Sequence, residues 1–430
     1  MNFLKKMRPG RFIVLGFATV IILGAIILML PIAHREGVNV SLVDALFTST
    51  SAVCVTGLST IDTADSFSVF GRTIIALLIQ TGGLGVACVG VGLILLAGRK
   101  VSFKDRMLIK EALNLDTMKG IVKLVKIVLY ITIFFEGIGA ILSTIAFAQY
   151  FPIKKAIGIG LFHSVSAFNN AGFDVLGSFK GLIDYKHDIL LNLTTIALII
   201  FGGLGFIVIK EIIYKRSFKK FSLHTKIVIT MTIILLAAGT ILIKLTSSVS
   251  WLGALFFSTS ARTAGFATYN TGDFASPALF VIVILMFIGA SPGSTGGGIK
   301  TTTAFTLFRS VYSMATNHHC SGFKRKIPGD TIYKAHNLAL LAISVVCVNT
   351  FLVSVLEPEF TFMQVLFETV SAFGTVGLST GITPELSTAS KLIIIFTMFI
   401  GRLGPITIAT IWSFRPVSNI SYSEENITIG

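Results

Sequence analysis

Two kinds of apolar segment alternate along the chain. Residues 12–32, 189–209 and 227–243 carry no charge at all, and such runs approach the roughly 20 residues that cross a hydrocarbon core. With the other apolar stretches they predict eight crossings, about 11–31, 71–98, 120–148, 187–213, 223–246, 276–315, 334–356 and 388–414. The crossings pair, and within each pair lies a shorter stretch that is apolar on one face, near 42–53, 157–168, 250–261 and 361–372. A dozen or so residues are too few to cross, so these stretches are predicted to be re-entrant. Non-helical backbone at that depth persists only where it is buried in protein or lines a wet cavity. The expected unit is span, half-helix, loop, span.

Each half-helix runs into a similar ending: Ser51-Ala52-Val53-Cys54-Val55-Thr56-Gly57, Ser166-Ala167-Phe168-Asn169-Asn170-Ala171-Gly172, Thr259-Ser260-Ala261-Arg262-Thr263-Ala264-Gly265 and Ser371-Ala372-Phe373-Gly374-Thr375-Val376-Gly377. Ten positions before each glycine stands a large apolar residue, Phe47, Phe162, Leu255 or Phe367. A pattern recurring roughly every hundred residues marks an internal repeat, here at 1–98, 99–213, 214–315 and 316–430. The second spans repeat too, with Gly82-Gly83-Leu84-Gly85, Gly202-Gly203-Leu204-Gly205 and Gly401-Arg402-Leu403-Gly404. Each unit crosses an even number of times, so the units run parallel. The predicted fold is an all-α polytopic membrane protein: four parallel span–pore-helix–loop–span repeats, eight transmembrane helices around a central pore.

Small residues ending in glycine suit a cation site. Backbone carbonyls in rings can replace the water around a monovalent ion, and glycine tolerates the backbone turns that aim them. The half-helix adds its partly negative C-terminus. The predicted ligands are carbonyls of Val55, Thr56 and Gly57; Asn170, Ala171 and Gly172; Thr263, Ala264 and Gly265; and Thr375, Val376 and Gly377. One glycine of this kind would be a plain turn; four in register are not.

The third unit differs. Its second span is apolar through 279–288 and then reads Gly289-Ala290-Ser291-Pro292-Gly293-Ser294-Thr295-Gly296-Gly297-Gly298-Ile299-Lys300. Ten or eleven helical residues rise only about 16 Å, half the core, so this loop is expected near the midplane beneath the filter, in the one broken helix of the chain. Gly293-x4-Gly298-Ile299-Lys300 is no phosphate loop, because lysine does not directly follow the glycine and no strand precedes it.

Hydrophobic residues make up 53% of the chain and charged ones 13%, which excludes an ordinary soluble globule. The net charge of +15 gathers in 5–11, 99–126, 210–226 and 309–334, while acidic residues concentrate in the alternate loops. That alternation follows the positive-inside rule and places both termini in the cytoplasm of a multi-pass cell-membrane protein; nucleic acid is not implied. The first run follows basic residues as a signal peptide does, but its length and missing cleavage site mark it as retained. Cys54, Cys88, Cys320 and Cys347 form no metal-type or disulfide pattern.

The four loops resemble the pore loops of the Trk/Ktr/HKT superfamily of potassium transporters, and the chain over about 10–414 is most similar to the KtrB-type membrane subunit of bacteria. The resemblance implies a homodimer of four-repeat pores in the lipid bilayer, resting on a cytosolic nucleotide-binding regulatory ring (KtrA-type). Potassium is then the substrate, the chain itself carries no cofactor, and nucleotide sits only on the partner. A glycine at Gly57 goes with potassium preference in that family, where serine goes with sodium permeation. Such systems often need sodium, to which no residue here is assigned. The resemblance also makes 289–303 an intramembrane gating loop; the expected gate residues are Gly289, Gly293, Gly296, Gly297 and Gly298, with Lys300, whose positive charge close to the cation path would repel potassium, and Arg402.

Two other classes compete. A secondary cation transporter with alternating access at a midplane site usually has inverted repeats and two discontinuous helices in corresponding positions. A membrane enzyme would gather carboxylates, histidines or cysteines within its spans. The intramembrane ionisable candidates here are Arg402, expected to face the pore, and Glu136, expected to be structural, with lone histidines such as His163, expected on a neighbouring backbone. No enzymatic activity is expected.

Overall fold

The computed structural model describes residues 9–112 and 117–405, with positions 407, 423, 425 and 428. The remainder of the last expected span, the C-terminal tail and most of the first basic cluster lie outside the described residues. The chain is helical apart from a two-stranded hairpin, Ser321–Gly322 with Arg325–Lys326, the one sheet among the described residues.

One order of elements recurs four times. A long helix leads to a short one and a loop, and a second helix follows, interrupted in the first three units and ending at Gly404 in the fourth. The first unit holds α1 (Pro9–Leu28), α2 (Leu42–Cys54), α3 (Val69–Leu84) and α4 (Val86–Leu96). A connecting helix, α5 (Phe103–Ala112), leads to α6 (Ile121–Phe147), α7 (Ile153–Phe168), α8 (Ile189–Leu204) and α9 (Phe206–Lys215). Then come α10 (Leu223–Thr246), α11 (Trp251–Ser260), α12 (Ser276–Phe287) and α13 (Thr301–Ala315). The last unit is α14 (Gly329–Leu356), α15 (Phe362–Gly374) and α16 (Thr388–Leu403).

Within the described residues four helices, α1, α6, α10 and α14, are long and apolar enough to cross a membrane, or up to six if each bent pair counts as one span. Between 28% and 39% of their apolar windows is buried in protein; the rest, such as Ile22, Ile133, Ile233 and Phe351, faces outward. The short helices are sunk inside, with Phe47, Phe168, Phe257 and Phe367 fully buried. Side-chain caps fix where many of them start: Ser41 accepts from the Asp44 N–H, Ser250 from Gly253, and Thr361 forms a capping box with Gln364.

The expectation of a single broken helix is corrected here. The second helices of the first two units bend by 102° and 96°, at Gly85 and Gly205, and α16 ends at Gly404. Those three glycines share nearly one conformation, φ 83°, 91° and 87° with ψ 135°, 137° and 136°. A side chain would be strained there, so the final glycine of each G-x-L-G motif ends a helix.

Lipid gives helices no hydrophobic reason to associate, so close packing through small residues has to do it. A Cβ on Gly24, Gly139 or Gly239 would strike the serine hydroxyl of the adjoining short helix, Ser49, Ser164 or Ser258. Those hydroxyls bond back to the long helices at Ile21 O (2.7 Å), Glu136 O (2.7 Å) and Leu236 O (3.0 Å). On the other side, Gly82, Gly202 and Gly401 lie against the carbonyls of Val53, Phe168 and Phe373. Overpacking such a contact costs about 1–3 kcal/mol. Gly202→Ala should therefore lower the thermal midpoint of the detergent-solubilised protein, whereas Gly90→Ala, where a Cβ meets nothing within 4 Å, should leave it unchanged. Equal midpoints would mean that the α8 contact is loose.

Candidate functional site

After each short helix the chain turns the same way. Val55, Asn170, Thr263 and Thr375 have φ of 58°, 59°, 74° and 49°, a left-handed conformation uncommon for residues with a Cβ. The residue after each does not have positive φ, and then Gly57, Gly172, Gly265 and Gly377 are left-handed again at 97°, 69°, 79° and 91°. In a regular strand successive carbonyls alternate sides, and alternating the hand of φ breaks that alternation. The turns are anchored from behind. The N–H groups of Thr56, Ala171 and Val376 each donate to the carbonyl of Ser51, Ser166 or Ser371 at 2.8 Å, and that of Ala264 to Ser260 O at 2.9 Å. The hydroxyls of Ser51 and Ser371 also accept from Gly57 N (3.0 Å) and Gly377 N (3.1 Å).

The four glycines meet. A Cβ on Gly57 would lie 2.5 Å from Ala171 O and 3.0 Å from the Cα of Gly172. One on Gly172 would lie 2.7 Å from Ala264 O and 3.0 Å from the Cα of Gly265. Gly265 in turn abuts Val376 O and Gly377, and Gly377 abuts Thr56 O and Gly57. The ring closes, first to second to third to fourth to first, and the side chains of its non-glycine members are wholly buried. Asn170 Nδ2 donates to Thr263 Oγ1 at 3.2 Å, tying the second loop to the third.

All four glycines line a cavity of about 290 Å³. Its wall includes Asp62 and Asp174. Asp62 caps the turn Thr63–Ser66 and accepts from Phe179 N at 2.7 Å; Asp65 accepts from Ser178 N at 2.9 Å, so the first and second units are stapled at the mouth. Burial pushes the Asp174 carboxyl up to about 6, with the charges of Asp62 and Asp65 adding to the rise and the Leu176 N–H opposing it.

On the other side of the ring runs 288–300, tethered by a bridge between Ile288 and Ile299. Its glycines serve close approach. A Cβ on Gly289 would strike Gly297 O; on Gly296, Thr263 Oγ1; on Gly297, Thr375 Oγ1; and on Gly298 it would lie 3.3 Å from the Cα of Gly374. Gly293 has open space but φ of 69°, and its carbonyl accepts from Phe206 N at 3.0 Å. Ser291 N and Thr295 N donate to Gly203 O and Gly202 O. Lys300 Nζ donates to Gly296 O (2.6 Å) and Gly297 O (3.2 Å) within the loop itself. Arg402 donates from one guanidinium nitrogen to Thr295 O and from the other to Gly82 O and Gly83 O. It thereby joins α16, the loop and α3.

The comparisons decide the family. Residues 12–250 and 244–421 match TrkH, described as a cation transport protein. The chain belongs to the TrkH family. Among curated members it is similar to the Ktr system potassium uptake protein B of Bacillus subtilis, at 39% identity over 99% of this chain and 97% of that protein. It is 37% identical to the potassium/sodium uptake protein NtpJ of Enterococcus hirae, over 99% and 98% of the two chains. In fold it is similar to the potassium transporter TrkH of Vibrio parahaemolyticus, with a TM-score of 0.70 and 18% identity over 95% of this chain and 86% of that one.

Several residues of this TrkH-family site escape a reading by composition. Ser51 and Ser371 are two of them, although a serine six positions before the glycine in three loops was the available signal. Arg402 and Glu136 are also not the only ionisable groups within the membrane segments. Arg262 and Glu368 are buried, and Glu368 accepts from Ser379 Oγ (2.7 Å), Thr380 N (2.8 Å) and Thr383 Oγ1 (2.7 Å), holding the turn after the fourth loop. Glu136 accepts from Asn169 Nδ2 at 2.9 Å. His163 pairs with the Thr195 hydroxyl (2.8 Å) instead of a backbone group, because α8 presents that side chain to it.

The Asp174 carboxyl should titrate near pH 6 by infrared difference spectroscopy, charged above and neutral below. Asp62→Asn should lower the midpoint while leaving it above the ordinary 3.8, since burial is the larger cause. A wild-type midpoint at the ordinary value would mean that bulk water reaches the group.

Proposed function

We propose that this chain carries potassium into the cell through a selectivity filter made by the four glycine loops. The supporting observation is the closed ring of Gly57, Gly172, Gly265 and Gly377 with the carbonyls of Thr56, Ala171, Ala264 and Val376 between them. Backbone oxygens held in a ring by buried turns can replace the hydration shell of a monovalent cation, and the fixed geometry favours one ion size. The outer carboxylates raise the local cation concentration. In this reading α1, α6, α10 and α14 are the first crossings of four parallel units, and the bent or interrupted helices are the second, making eight around one pore.

Beneath the filter, 289–303 is the gate, with Lys300 stiffening it and Arg402 clamping it to the first and fourth units. A dimer in the cell membrane, termini inside, works with a cytosolic nucleotide-binding ring that moves α13. The names of the similar proteins favour potassium, one of them with sodium as well. Alternating access is the weaker reading. Helix breaks in three units, with a helix end at Gly404 in the fourth, remove the contrast with broken-helix transporters, but in this reading each unit crosses an even number of times, so the units run parallel and not inverted.

Serine at Gly57 would place a Cβ against Ala171 O at a φ of 97°. Gly57→Ser should raise sodium uptake relative to potassium several-fold in a strain lacking its own potassium systems, with uptake taken per amount of protein in the membrane; unchanged discrimination in the inserted protein would remove Gly57 from the filter. Shortening 293–298 should raise potassium flux in proteoliposomes that contain no regulatory partner, without altering ion preference. If the shortened protein inserts and its flux stays at the wild-type level, the loop is a structural break and the gate lies elsewhere.

A further inference from the structure

The buried and half-buried charged groups around the loops have partners, with one exception among the described residues. Lys300 and Arg402 are bound to carbonyls, Glu136 to an amide and Glu368 to hydroxyls and an N–H. Arg262, 7% exposed, has no side-chain hydrogen bond or ion pair among the described residues, and its Nε is buried without a partner. It stands at the end of α11, directly before Thr263. The partly negative helix end compensates some of its charge, but an isolated buried guanidinium remains costly.

Arg262 lines a cavity of about 20 Å³ between the second and third units, bounded by Ile199 and Gly203 of α8, Thr232 of α10, Thr259 of α11 and Ala290 of the midplane loop. Thr232, 8% exposed, has a hydroxyl that is likewise buried without a partner. The nearby oxygens are engaged without reaching the guanidinium side chain. Thr259 Oγ1 donates to Leu255 O at 2.8 Å, Gly203 O accepts from Ser291 N at 3.1 Å, and Thr259 O accepts from Arg262 N at 3.1 Å. The walls are mostly apolar, with Ile200 and Leu236 completing them, and the unanswered polar groups among them are a cation's N–H groups and a hydroxyl, donors that suit an anion. The volume exceeds the roughly 10–15 Å³ that one water-sized occupant needs and is too small for a phosphate or a lipid headgroup.

We propose that this cavity is a halide site, in which chloride is held by Arg262 and Thr232. The ion neutralises the positive charge one residue from the third loop. Resting on the filter reading, anion occupancy and cation binding then favour each other, and the coupling is reciprocal.

Crystals of the full-length wild-type protein in bromide instead of chloride test the site. An anomalous peak within hydrogen-bonding distance of the Arg262 guanidinium is expected, weakened in Thr232→Val. At constant ionic strength the wild-type thermal midpoint should be a few degrees higher in chloride than in gluconate. The difference should vanish in Arg262→Gln and survive in Arg262→Lys. If Arg262→Gln fails to fold, the wild-type peak still decides. No bromide beside Arg262, with density for water alone, overturns the proposal. The peak requires no transport, so loss of the filter reading would leave it in place.

Discussion

Four backbones have to come within van der Waals contact around one line, in a medium that supplies no water to satisfy them. A Cβ fits at none of Gly57, Gly172, Gly265 and Gly377, because each lies against the next loop's carbonyl or glycine. Those loops cannot hold this shape unaided, since each also carries a residue with a Cβ in the left-handed region, a conformation costing of order 1–3 kcal/mol. The surrounding structure has to over-determine it. The N–H groups of Thr56, Ala171, Ala264 and Val376 are taken by the short helix behind, through the carbonyls of Ser51, Ser166, Ser260 and Ser371. In the proposed filter a cation answers the carbonyls that these turns hold in the ring.

The same constraint reaches outward. For the loops to converge, the second helix of a unit must press on the short helix, and Gly82, Gly202 and Gly401 give that approach. The third unit meets the ring differently: Gly296 and Gly297 bring a loop up against Thr263 and Thr375. Glycine here lets the loop lie close, and the many bonds it makes to α8, α9 and Arg402 hold it there. In the proposed gate, moving this loop breaks its bonds to Gly202, Gly203 and Arg402.

Much of this was legible in the chain. The short helices begin and end within a few residues of where one-sided apolar stretches placed them, and the four glycines were singled out by register alone. The bends at Gly85 and Gly205 were not foreseen, because hydropathy is continuous across them and only backbone conformation breaks. Spans read as straight crossings therefore came out bent. Lys300 turns its amino group into its own loop, onto Gly296 O and Gly297 O, and not toward the cation path, which depends on side-chain direction and not on spacing. Arg262 lies in the repeat, but the sequence alone assigns its charge no role, because the cavity behind it is formed by residues far apart in the chain.

The proposed filter is tested most directly by where a heavy potassium surrogate sits. Anomalous diffraction from crystals grown in rubidium should show density on the axis of the ring, ligated by the carbonyls of Thr56, Ala171, Ala264 and Val376. Crystals of transport-competent protein whose rubidium lies elsewhere, with the axis empty, would contradict it.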